Sequence, residues 1–186
     1  AEFSRYDAFR VPPTPERGTW VYSNGNYCSL GLVIELVTGE RFDAAAYRLV
    51  LAPAGIVGPH LTVDGSGPDD APYAKGVARF DRLGGAGQWM ASTDDIAALL
   101  AAITPADRDV LAWPGIIADQ YGWGHTGTVD GAFSCAWVVD DCHTVVAATV
   151  AGAHPRSGGR VCDLVLPAAA ADLGLPDYGE PVRSPE

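Results

Sequence analysis

The order of hydrophobic periods along these 186 residues predicts an α+β fold, an α/β sandwich in which helices flank an antiparallel sheet. Two observations carry this. Up to about residue 103 apolar residues recur at helical spacing, and after about Gly115 the pattern becomes β-rich. A last apolar stretch over 160–173 returns to helix. Helices, then neighbouring strands, then a helix do not suit repeated parallel βαβ units. The length fits one domain over residues 4–186, mainly helical over 16–115, with strands and a closing helix over 116–186.

Residues 4–20 are irregular, with Pro12, Pro13, Pro15 and Gly18. A buried helix is expected next, since Tyr27, Leu30, Ile34 and Val37 fall at helical spacing. Asn24 or Asn26 can cap its start and Gly39 can stop it. Residues 42–50, around Ala44-Ala45-Ala46-Tyr47, read as a second helix, and residues 52–87 as loop-rich. Ser92-Thr93-Asp94-Asp95 is a capping box, with its acids at the positive end of the helix dipole. Ile96, Leu99, Leu100 and Ile103 make that helix's apolar stripe. Thr104-Pro105 ends it and can begin another. Ala132–Val139 and Cys142–Val150 read as an antiparallel hairpin through Asp140-Asp141, with the strand containing His125 just before it. The closing helix over 160–173 is weakened or bent at Pro167.

Composition excludes several classes. Hydrophobic residues are 48% and charged residues 19% of the chain, a globular balance. No apolar run is long enough for a membrane span. The net charge is −11 and the 12 basic residues are scattered, so no nucleic-acid partner is expected. Four cysteines, Cys28, Cys135, Cys142 and Cys162, allow three full pairings or buried thiols. Cys135, Cys142 and His143 match no zinc-finger spacing, and neither a metal nor a cofactor is expected.

Two short motifs carry candidate chemistry. In Tyr22-Ser23-Asn24, a phenol can relay a proton and an amide can hold a carbonyl. In His125-Thr126-Gly127, an imidazole and hydroxyls, including that of Thr128, can meet a substrate's carboxylate or leaving group. The glycine lets an extended acyl donor approach the strand. Gly122-Trp123-Gly124-His125-Thr126-Gly127 also fits the dinucleotide pattern, but strand-like sequence follows where that site needs a helix. His60, His143 and His154 have no helix-spaced partners, and no nucleophile elbow is present.

Taken together and in order, four segments resemble the penicillin-recognising serine hydrolases: class C β-lactamases, D-alanyl-D-alanine carboxypeptidases and related esterases. They are Arg17–Asn24, the helix Leu30–Gly39, Gly87–Ile96 and His125–Gly131, and the likeness covers about residues 16–175. The resemblance implies Tyr22 as acid/base partner of a serine nucleophile and Asn24 as a substrate ligand. It implies that His125, Thr126 and Gly127 line the acyl group, and that Thr128 helps bind a carboxylate. It also implies an extracytoplasmic setting, secreted or in the cell envelope, with β-lactams, peptidoglycan stem peptides or esters as substrates.

The departure is the nucleophile. Ser-x-x-Lys is absent, because the one lysine is Lys75 and Pro72 stands three residues before it. Ala1-Glu2-Phe3 reads as the remnant of a cloning site, so the expectation is the C-terminal part of such a hydrolase, inactive by itself, whose N-terminal segment carries the serine. The alternative is a non-catalytic relative that binds cell-wall peptides or a protein partner. A third reading pairs His125 with a different nucleophile.

Overall fold

A computed structural model describes residues 23–61, 84–87, 89–103, 116–129, 131–139, 144–152 and 157–176. The chain divides into two compact units, residues 1–70 with 75–91, and residues 71–74 with 92–186.

The first unit opens with α1 (Asn24–Thr38). Its N-cap is Ser23, not Asn24 or Asn26. The extended backbone at Ser23 lets its hydroxyl accept the Gly25 N–H at 3.1 Å. Gly39 ends the helix as expected, in the left-handed conformation at φ 70°, with its N–H returning to Glu35 O at 2.9 Å. The expected buried stripe holds in part: Tyr27 and Ile34 are half-buried, but Leu30 and Val37 are exposed. Leu30, Val33, Leu36 and Val37 are more than half exposed, and the buried residue is Gly31. The helix turns that glycine onto the 3-10 turn Gly84–Ala86, where a Cβ on Gly31 would stand 3.1 Å from Gly85 N. The approach there is backbone to backbone.

α2 (Phe42–Ala46) runs straight into a π-turn, Tyr47–Leu51, where a single helix over 42–50 was expected. Ala52 N–H donates to Tyr47 O at 2.8 Å, the five-residue step of a π-helix. The Phe42 N–H donates to the Glu35 carboxylate at 2.9 Å, tying α2 to α1. Phe42 also meets Trp89 edge to face, with ring centroids 6.2 Å apart. β1 (His60–Leu61), within the segment read as loop-rich, pairs antiparallel with β2 (Trp89–Met90), just beyond it. Two residues are too few to show a period, which is why pattern alone missed both.

In the second unit, α3 (Thr93–Ala101) begins with the expected capping box. Ser92 Oγ accepts Asp95 N–H at 3.0 Å, and Asp95 Oδ2 accepts Ser92 N–H at 3.3 Å. The sheet order is β3 (Ile117–Asp119), β4 (Gly122–Val129), β5 (Ala132–Val139) and β6 (Thr144–Ala151), every pair antiparallel. The β5–β6 hairpin is the predicted one with its second strand starting two residues later; Asp140-Asp141 lies outside the described residues, as does Thr104-Pro105. α4 (Gly158–Asp172) closes the unit with Pro167 inside it.

Residues opposite one another in an antiparallel pair share a face. Phe133, Cys135, Trp137 and Val139 of β5 form one cluster with Val161, Cys162, Leu166 and Ala170 of α4. No α3 side chain joins that cluster, although α3 packs against β5 and β6. α3 therefore lies on the other face, where Val138 is buried. The second unit is thus an antiparallel sheet with a helix on each side, the predicted class.

Candidate active site

Of the first motif, Tyr22 lies outside the described residues. Asn24 is the exposed first residue of α1, and the Ser23 hydroxyl is occupied as that helix's cap. The motif's residues belong to the first unit, and His125 to Thr128 belong to the second.

The second motif sits mid-strand in β4. Register pairs His125 with Ala136, Thr126 with Cys135, Gly127 with Ser134 and Thr128 with Phe133. Cys135 and Phe133 face α4, so Thr126 and Thr128 do too, while His125 and Gly127 occupy the opposite face with Ser134. The His125 Nδ1 lies 2.7 Å from Thr126 O. A carbonyl only accepts, so in this contact Nδ1 is the donor.

β3 reaches only Gly122 to Gly124 of β4 in register. Among the described residues no strand pairs with the outer edge of Thr126–Val129. An edge of this kind can add an extended ligand through main-chain hydrogen bonds.

The back of the strand is clamped by α4. The Gly158 N–H donates to Thr128 Oγ1 at 2.8 Å, leaving the hydroxyl's own proton to donate elsewhere. A Cβ on Gly158 would lie 2.5 Å from Gly127 O and 2.6 Å from Ser134 O, so only glycine permits this approach. Cys135, opposite Thr126, is bonded to Cys162 of α4. That bond uses up the Cys135 sulfur and removes it from any zinc set with Cys142 and His143, which lie outside the described residues. Cys28 keeps its thiol, and burial pushes its pKa up, which makes it a poor nucleophile.

The start of β4 is held by Asp119, a residue the sequence reading passed over. Its Oδ1 accepts the Tyr121 N–H at 2.9 Å and the Trp137 indole N–H at 3.2 Å across the Gln120-Tyr121 turn. Burial nevertheless pushes the carboxyl above its ordinary pKa, those hydrogen bonds opposing the shift only in part. Gly122 to Gly127 all lie within β4 and β5 follows, so no helix meets the dinucleotide-like pattern. Among the described residues no three His, Cys, Asp or Glu side chains gather in a metal-binding group.

The beta-lactamase family profile matches residues 4–115, more than half of the chain. The chain belongs to the beta-lactamase family. No curated protein matches it. Solved structures share the fold. The D-amino acid amidase from Ochrobactrum anthropi SV3 complexed with D-phenylalanine superposes with a TM-score of 0.63 at 16% identity, over 85% of this chain and 62% of that one. The D-stereospecific amidohydrolase from a Streptomyces species gives 0.57 at 19% identity, over 78% and 54%. The penicillin binding protein from Bacillus halodurans gives 0.59 at 18% identity, over 88% and 60%. This family member therefore spans between about half and three fifths of the length of these neighbours.

Serine hydroxyls give the last element of the site. Ser29 Oγ donates to Gly25 O at 2.8 Å, and Ser23, Ser92 and Ser157 are helix caps. Ser134, on the face of His125, has no such backbone duty.

Proposed function

We propose that this chain is part of a serine acyl-transfer hydrolase acting on D-Ala-D-Ala peptides, β-lactams or esters, with the Ser-x-x-Lys nucleophile supplied from outside these residues. The observation that carries this reading is the outer edge of β4 at Thr126–Val129, with which no strand pairs among the described residues, on the strand that carries the His125 imidazole. An acyl donor laid along that edge has its carbonyl beside the strand backbone and its leaving group near His125. Tyr22 is the acid/base partner of the nucleophile, Asn24 a substrate ligand, and Thr126 and Thr128 supply hydroxyls from the α4 side. Family membership, and neighbours whose names are amidase, amidohydrolase and penicillin binding protein, support the substrate class. The Cys135–Cys162 bond supports an extracytoplasmic, oxidising setting, in the cell envelope or secreted.

Labelling with a fluorescent penicillin tests this. Protein carrying the sequence encoded upstream is expected to become covalently labelled, and the 186-residue chain is not. An upstream sequence without Ser-x-x-Lys overturns the proposal.

The absence of Ser-x-x-Lys also favours a second reading: a non-catalytic member of the family that uses the same edge to bind cell-wall peptides or a protein partner. It predicts ligand binding without turnover in both forms.

A further inference from the structure

Gly127 is the gap in the β4 face that carries His125. An added Cβ there would stand 2.3 Å from Ser134 Oγ but 3.7 Å from Ser134 Cβ. The Ser134 hydroxyl therefore leans off its own strand and over β4, filling the space the glycine leaves. Its direct partner is Gly127, and its diagonal neighbour on the same face is His125. Such diagonal pairs lie about 7–8 Å apart at Cα, close enough for one small polar group to touch both side chains. Thr126 and Thr128 face α4 instead, so among residues 125–128 and their partners 133–136 the hydroxyl on the imidazole's face is that of Ser134. Ser134 is half-buried, and among the described residues its hydroxyl makes no hydrogen bond.

We infer that Ser134 is a further substrate-binding residue, donating its hydroxyl hydrogen bond through the Gly127 gap to a carboxylate or carbonyl of a ligand on the outer edge of β4. This rests on the proposed substrate edge. A chain added there runs about 4.8 Å beyond β4, and the hydroxyl already stands over the Gly127 column. A ligand group turned toward the His125 face thus comes within reach of it. Any side chain at residue 127 closes the gap and displaces the hydroxyl at once. Gly127 and Ser134 then act as one unit, the glycine supplying the opening and the serine the donor.

The test is titration of the 186-residue chain with D-alanyl-D-alanine, read by NMR or calorimetry, with thermal unfolding measured beside it. Ser134→Ala is expected to raise Kd roughly tenfold, the size of one hydrogen bond to a charged acceptor, with Tm unchanged. Gly127→Ala is expected to raise it at least as much, and the double variant no further than Gly127→Ala alone, since the serine has already lost its path. If the unaltered chain binds and Ser134→Ala stays within twofold of it, the assignment of Ser134 is overturned while the edge remains the substrate site. If the unaltered chain does not bind the dipeptide at all, both the edge and Ser134 are overturned.

Discussion

The backbone N–H of Gly158 donates to Oγ1 of Thr128 at 2.8 Å, joining the first residue of a helix to the strand that carries His125. The contact spans 30 residues of sequence and fixes where α4 begins. Helix N-termini leave backbone donors unsatisfied, and here a threonine hydroxyl from the sheet takes one of them. Ser157 accepts the Arg160 N–H at 3.4 Å, so side chains from both elements close the same terminus.

Gly158→Ala separates local propensity from packing. Alanine is the better helix former, by up to about 1 kcal/mol. Its Cβ, however, would stand 2.5–2.9 Å from Gly127 and Ser134 backbone atoms, which cannot rotate away. Overpacking of that kind costs about 1–3 kcal/mol and outweighs the gain. Urea unfolding is expected to show a net loss of roughly 2 kcal/mol, with the midpoint falling and the slope unchanged. A variant as stable as the parent would mean that α4 does not sit against β4 here.

The Cys135–Cys162 bond ties the same helix to the strand beside β4, across a sequence separation of 27. Chain-entropy arguments give a cross-link of that span about 3–4 kcal/mol. Reductant, or Cys162→Ala, is expected to lower Tm by many degrees and to loosen α4 first, read as faster hydrogen exchange over 158–172. Equal Tm values with and without reductant would show that the thiols are not joined.

What could be read from the residues divides by the range of the interaction. Ser92 and Asp95 are three apart, and their capping box was legible because both partners lie within one helical turn. Gly39 as a helix stop was equally local. Val129 pairs with Ala132, and counting two residues outward from each sets Gly127 opposite Ser134, so that pair was within reach of an Asp-Gly hairpin signal in the sequence. The cysteine pairing was not available, since spacing cannot choose among three patterns. Nor was the exposure of α1. Tyr27, Leu30, Ile34 and Val37 announce a helix, but periodicity does not say which of its residues a neighbour covers: Gly31 meets Gly85, while Leu30 and Val37 stay exposed.

Ser23 stands inside the Tyr22-Ser23-Asn24 motif, yet its described role is to cap α1. Ser23→Ala is expected to cost about 1 kcal/mol and to speed exchange of the Gly25 amide, which donates to Ser23 Oγ. Ser23→Asp keeps an acceptor at the cap and adds a charge favoured by the helix dipole, so it is expected to hold the parent's stability. If alanine and aspartate behaved alike in urea unfolding, the cap would not be what Ser23 contributes.

Asp119 gives the pH-dependent prediction. Burial raises its carboxyl above the ordinary value of 3.8, in spite of the N–H groups of Tyr121 and Trp137 directed at it. A carboxyl with a folded pKa above its unfolded one binds more protons when folded. Its contribution to stability is therefore complete below the unfolded value and is lost as pH rises through the folded one. Asp119→Asn keeps an oxygen for both donors and removes the charge. The variant is expected to match the parent near pH 3 and to exceed it in Tm at pH 7, with the difference opening as pH climbs from about 4. Because every other carboxylate is common to both proteins, the difference in Tm isolates this one group. A difference that narrows with rising pH would mean that the charged carboxylate is the form the β3–β4 turn prefers.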